Sequence, residues 1–194
     1  MTSASAATAP APRLEIRLAN LWWVAGVFAA MIAAIAAGDR WLLNFVHVMS
    51  GVLWTGIDLF MGFVLGPVMR GLDMPMRRAL VIRLMPRMLF IMPTLSIVTG
   101  TSGWYLAQQV GYLDLPWPLA AWVWAALAIT TVLAVQGLGF LLPTNLRVCL
   151  ELQKPAPDVG KLQRWMKRYL VVIAMQGALQ IAIIVVMARF VTGM

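Results

Sequence analysis

The side chains able to do chemistry are concentrated in one stretch. Residues 41–67, WLLNFVHVMSGVLWTGIDLFMGFVLGP, hold the protein's single histidine, His47, and an acid, Asp58, in otherwise apolar sequence. At about 1.5 Å rise per residue the segment covers roughly 30 Å or more, the depth of a bilayer's hydrocarbon, and predicts one transmembrane helix. Helical spacing sets His47, Ser50, Gly51, Trp54 and Asp58 along one stripe, with Asn44 one turn above and Val46, Met49, Leu53, Phe60 and Val64 opposite. An ionisable group at membrane depth costs several kcal/mol unless it is paired or faces an interior cavity, so the stripe is expected to point inward. A neutral imidazole there is an iron or metal ligand, and a carboxylate is a proton-handling or cation-binding group. Both residue types also serve as hydrogen-bonding glue between helices. His47 and Asp58 stand roughly 16 Å apart along a helix axis, too far to share one metal ion.

Other candidates are weaker. The 14 methionines raise Cu(I), which soft thioethers suit, but they are spread through the chain. Their one stripe, Met85, Met88 and Met92, fits packing better than a copper site. Cys149, the single cysteine, can form neither an internal disulfide nor a metal cluster. Gln176 and Gln180 share a helix face and can reach a ligand or bond another helix, while Gly62-x3-Gly66 fits a close helix crossing. The sequence has no phosphate-cradling glycine loop, and its lone histidine leaves little scope for a Ser-His-Asp arrangement. It also has no C-x-x-C-H, which excludes covalent c-type haem.

The pattern His47-x3-Gly51-x2-Trp54-x-Gly56, written HVMSGVLWTG, resembles the opening motif of a loose group of bacterial membrane proteins. The group comprises the copper-resistance D family, the J-type protoporphyrinogen oxidases and the membrane domain of cytochrome-linked urate oxidases. The basic segment that follows and the later TGTSGWYL resemble the group more loosely. The resemblance implies a haem b-binding protein of a bacterial inner (cytoplasmic) membrane, acting in electron transfer or a membrane oxidoreductase reaction. His47 would be the axial ligand, with Gly51 and Trp54 as walls of the porphyrin site. With one histidine per chain, the other axial position would fall to Met, water, an open substrate site or His47 of a second copy, so a homodimer or larger membrane complex is a natural partner. Two other classes stand beside this one. The chain can be a small non-catalytic subunit packed beside a larger membrane complex, or a small ion or metal permease with Asp58 as its cation or proton site.

The elements that must position these residues follow from composition. Of 194 residues, 62 % are hydrophobic and 11 % charged, with a mean hydropathy of +0.85. Soluble domains carry about 45–50 % apolar and about 25 % charged residues, so the fold class is all-α, a polytopic integral membrane bundle in contact with lipid. Five helices are expected, at about 18–37, 41–67, 84–108, 118–142 and 169–190, in a single transmembrane domain spanning 18–194. Residues 1–17 read as a disordered cytoplasmic tail. The apolar run 18–37 is longer than a signal peptide's core, which favours an uncleaved first span. Pro86 suits a first turn and Pro93 should kink its helix, while Thr94, Ser96, Thr99, Gly100, Thr101 and Gly103 offer a small surface for close helix approach.

A net charge of +8 raises nucleic acid as a partner, but the distribution argues against it. Arg13 and Arg17, five arginines from Arg70 to Arg87, and six basic residues from Arg147 to Arg168 make 13 of the 15 basic residues. Five spans place all of these on one side, and the positive-inside rule then gives N-in, C-out. Trp22, Trp23 and Trp165 fall at the inner ends, and Trp41, Trp104, Trp117, Trp122 and Trp124 near the outer ends, as interfacial belts require. Trp54 alone sits in mid-membrane.

Overall fold

The computed structural model describes residues 16–154 and 156–192, and among them every regular element is helical. The tail expected at 1–17 lies outside the described residues, apart from Ile16 and Arg17.

A short 3-10 turn, Leu18–Asn20, leads into α1 (Leu21–Ala37), which stops at Gly38. Gly38 has φ 65°, a left-handed conformation that glycine adopts without steric cost. Asp39 then opens α2 (Arg40–Phe60), its carboxylate accepting the Leu42 N–H at 2.7 Å. A π-helical turn, Met61–Leu65, carries the rod on into α3 (Gly66–Gly71). Asp73 caps α4 (Met74–Val110) through the Met76 N–H at 2.9 Å, and Gly111, at φ 76°, ends it. The next rod is α5 (Ala120–Ala134), a second π-helical turn at Val135–Leu141, and α6 (Leu142–Leu152). The last helix, α7 (Val159–Val191), is capped by Asp158.

Five rods are long and apolar enough to cross a membrane: Leu18–Ala37, Arg40–Gly71, Pro75–Val110, Ala120–Leu152 and Val159–Val191. The last four run well past the limits expected from sequence. The basic segment 69–87 is mostly the start of α4, so Pro86 lies deep inside that helix and not in its first turn. Pro143 does not close the fourth rod, and α7 begins ten residues earlier than expected, at Val159. The reason lies in how the chain handles its prolines. Proline lacks an N–H and its ring presses on the carbonyl four residues back, which normally breaks a helix. Pro67 and Pro143 each follow directly on a π-helical turn, whose wider winding makes room for the ring and lets the rod continue.

Packing is inside-out relative to a soluble protein. Large apolar side chains such as Trp22, Trp41, Phe63, Trp117, Trp124 and Val185 are exposed, while Ser50, Thr94, Ser102, Asn145, Gln176 and Gln180 are buried. Such a surface suits lipid, since water would drive apolar area of that extent into aggregation. The central rod α4 packs most extensively on α2 and also touches α1, α5 and α6. The small residues expected to allow close approach lie at these contacts: a Cβ at Gly51 would sit 3.4 Å from Thr99 Cγ2, and one at Gly100 would sit 4.0 Å from Thr130 Cγ2. The Gly62 and Gly66 positions make no such crossing. Gly62 faces open space, and the nearest atom to a Cβ at Gly66 is the Met61 carbonyl of its own rod. At the basic end Cys149 is fully buried and packs with Ile82 and Met85. Buried Glu151 accepts Lys154 Nζ at 2.6 Å and the Asp158 N–H at 3.0 Å, tying α6 to the start of α7. Arg77 caps the end of α3 by donating to the carbonyls of Met69, Arg70 and Leu72.

Candidate functional site

The α2 stripe faces inward as expected, and it forms two polar centres, each with a different partner helix. Leu43, Ser50 and Trp54 are buried and mark the contact face, while Met49, Leu53, Phe60 and Val64 on the opposite face are exposed. Asn44 is exposed, beyond reach of the interior.

The first centre is built on His47 and α4. The His47 Nδ1 lies 3.0 Å from the Thr99 carbonyl oxygen. A carbonyl can only accept, so Nδ1 carries the proton and donates, and Nε2 keeps its lone pair. The ring lies directly on Gly103: a Cβ there would come within 2.6 Å of His47 Cε1 and 2.9 Å of Nδ1. Glycine at 103 is therefore a requirement of the imidazole's position. Ser50, one turn along α2, donates to the Val46 carbonyl at 2.7 Å and accepts the Thr99 hydroxyl at 2.9 Å, which locks the register of α2 on α4. Ser102 donates to the Val98 carbonyl at 2.6 Å. Metal-ligating histidines commonly have one ring nitrogen held by a backbone carbonyl and the other left basic, and the His47 ring has that hydrogen bond. A basic imidazole nitrogen is the donor type that haem iron takes.

Gly51 and Trp54 lie on the same buried face of α2. Gly51 meets Thr99 and allows the close helix contact; Trp54, 5 % exposed, is buried further along α2.

The second centre surrounds Asp58. Its Oδ2 accepts Gln176 Nε2 at 2.6 Å and Gln180 Nε2 at 2.7 Å, so the two glutamines that share a face of α7 are spent on this one carboxylate. A cavity of about 40 Å3 adjoins it, lined by Trp54, Asp58, Met92, Ser96, Asn145 and Gln176 among others. Met88 also reaches this cavity, whereas Met85 belongs to the apolar core with Cys149, so the methionine stripe is divided between two packing roles. Tyr169 lines the cavity as well, with its hydroxyl beside the Asn145 amide. The π-helical turn of the fourth rod contributes Gly137, Leu138 and Leu141 to the wall. Among the described residues no group of three or more His, Cys, Asp or Glu side chains gathers as a metal cluster.

The sequence marks His47 and Asp58 as ionisable residues in an apolar stretch and Gln176 and Gln180 as a pair on one face, but carries no sign of which residues meet. Spacing along one helix says which residues share a face, but not which other helix that face meets. No family model, curated protein or solved structure matches the chain.

Proposed function

We propose that this protein is a haem b-binding membrane protein acting in electron transfer or a membrane oxidoreductase reaction, with His47 as the axial ligand. One observation carries the reading: the Thr99 carbonyl holds Nδ1 and Gly103 makes room for the ring, so the basic Nε2 is the nitrogen left for a ligand. When bound, haem supplies one-electron redox chemistry, and the potential is set by the axial ligand and its hydrogen bonds. The chain's own contribution is to fix the tautomer through Thr99 and to orient the ring on Gly103. The positive-inside distribution supports an N-in, C-out orientation in a bacterial inner membrane.

The test is the visible absorption spectrum of purified protein, oxidised and reduced, for wild type and His47→Ala. A Soret band present in wild type and lost in the variant is the expected result. A wild type that stays colourless after haem supplementation would overturn the reading and leave a non-catalytic subunit of a larger complex.

A further inference from the structure

The second polar centre has a composition that the first does not explain. Asp58 is a carboxylate at membrane depth, and the residues lining its cavity include no lysine, arginine or histidine. Its two protein partners are neutral amides, both of which donate to Oδ2. That leaves Oδ1 without a protein donor among the described residues. A carboxylate only accepts, so both glutamines must present nitrogen to it, and their oxygens are directed elsewhere. The consequence is that Gln176 Oε1 and Gln180 Oε1 are buried without a hydrogen-bond partner, and Asn145 Oδ1 is a further buried oxygen without one. Gln176 is 2 % exposed and Asn145 6 %, and both border the same cavity as Asp58.

Orphaned buried carbonyl oxygens each cost about 1–3 kcal/mol, so two on residues bordering one small cavity call for an occupant. The occupant must satisfy acceptors only, which requires a donor or a positive charge. A protonated Asp58 would satisfy one of these oxygens and leave the others unpartnered. A cation satisfies the carboxylate and the amide oxygens together. Charge selects its valence: one carboxylate neutralises one positive charge, and a divalent ion would leave a net charge in hydrocarbon. Size agrees, since about 40 Å3 holds an ion with at most a water or so beside it.

We propose that Asp58, Gln176 and Asn145, with the Tyr169 hydroxyl beside them, form a binding site for one small monovalent cation of the sodium class. The site is independent of the His47 reading. Hard oxygen donors of carboxylate and amide type suit such an ion, and Gly137, Leu138 and Leu141 of the π-helical turn line the cavity.

The experiment uses the full chain purified in detergent, with 22Na+ retention and thermal unfolding measured against NaCl, choline chloride keeping ionic strength constant. The expected result is saturable 22Na+ retention and a Tm that rises with Na+ and levels off. Asp58→Asn should abolish both responses. Asn145→Ala, which keeps the carboxylate, should raise the half-saturating Na+ concentration at least about tenfold, as loss of one ligand to a charge implies. Should Asp58→Asn not fold, Asn145→Ala and the wild-type isotope measurement still decide the matter. A wild type that retains no 22Na+ and has the same Tm in Na+ and choline would overturn the proposal and leave a cavity holding water or a proton.

Discussion

A glycine can be diagnostic of what lies on it. Gly103 and Gly51 both lie in the contact between α2 and α4, but their surroundings differ in kind. At Gly51 a methyl would meet Thr99 Cγ2 at 3.4 Å, an ordinary contact, whereas at Gly103 it would strike the His47 ring at 2.6 Å. Gly103→Ala should therefore expel the ring from its bond with Thr99, cost about 1–3 kcal/mol through overpacking and, under the proposed haem ligation, abolish haem retention. Gly51→Ala should change stability by less than about 1 kcal/mol, because the helix gains an alanine while the contact tightens only slightly. Spectra and unfolding curves of the two variants, measured side by side, separate these outcomes. A Soret band shifted by Gly51→Ala would support that residue as a wall of the porphyrin site. His47 and Asp58 were legible in the sequence because the bilayer makes any ionisable residue conspicuous. Gly103 was not, since the sequence showed only one of several small residues on a long helix, and nothing in its spacing says that an imidazole rests there.

The elements show where pattern reading stops. Apolar runs located all five rods, since each needs about 20 such residues to cross hydrocarbon. Their ends are not legible in the same way, because arginine-rich stretches and prolines read as loops in sequence yet are helical in the structure. Long cationic side chains on an exposed helix end are compatible with helix, and the π-helical turns before Pro67 and Pro143 absorb the steric conflict that would otherwise end the rod. The true starts of α4 and α7 depend instead on capping acids. Asp73→Ala should remove the bond to the Met76 N–H and lower stability by about 1 kcal/mol, measured as a fall in the unfolding midpoint. At α7 the Lys161 N–H donates to Asp158 at 3.0 Å and holds its carboxyl below the usual carboxylate range. A carboxyl with a depressed folded value contributes stability that is present above its unfolded value, about 3.9, and is lost as pH falls through the folded value. Wild type should thus lose Tm below about pH 4 relative to its own neutral value, and Asp158→Asn should flatten that acid limb. An identical acid limb in the variant would assign the loss to other carboxyls.

Across the whole molecule, rod length and charge act together. Four rods hold 32 to 36 residues, so each extends roughly 50 Å, against about 30 Å of hydrocarbon. The surplus turns have to emerge from the bilayer, and the residues they carry decide on which side. In α4 the first four turns hold Arg77, Arg78, Arg83 and Arg87, and in α7 the opening turns hold Lys161, Arg164, Lys167 and Arg168. At the other end of α7, Arg189 lies 6.0 Å over the Trp122 ring, and Tyr112 stacks on Phe190 at 5.0 Å, an aromatic cluster of the kind that settles at a headgroup boundary. One end of the bundle is thus a projecting basic collar and the other a shallow aromatic rim. In the orientation proposed above, the positive-inside rule would keep a collar of that charge on the cytoplasmic side and put the end of α7 outside. A C-terminal alkaline phosphatase fusion should therefore be active and a C-terminal green fluorescent protein fusion dark. Replacing Arg164, Lys167 and Arg168 together by Gln should weaken the bias and raise the fluorescent fraction, because orientation is set by basic residues near the ends of spans and not by net charge. A fluorescent C-terminal fusion on the wild-type chain would reverse the orientation, and with it the side from which His47 and the Asp58 cavity are each reached.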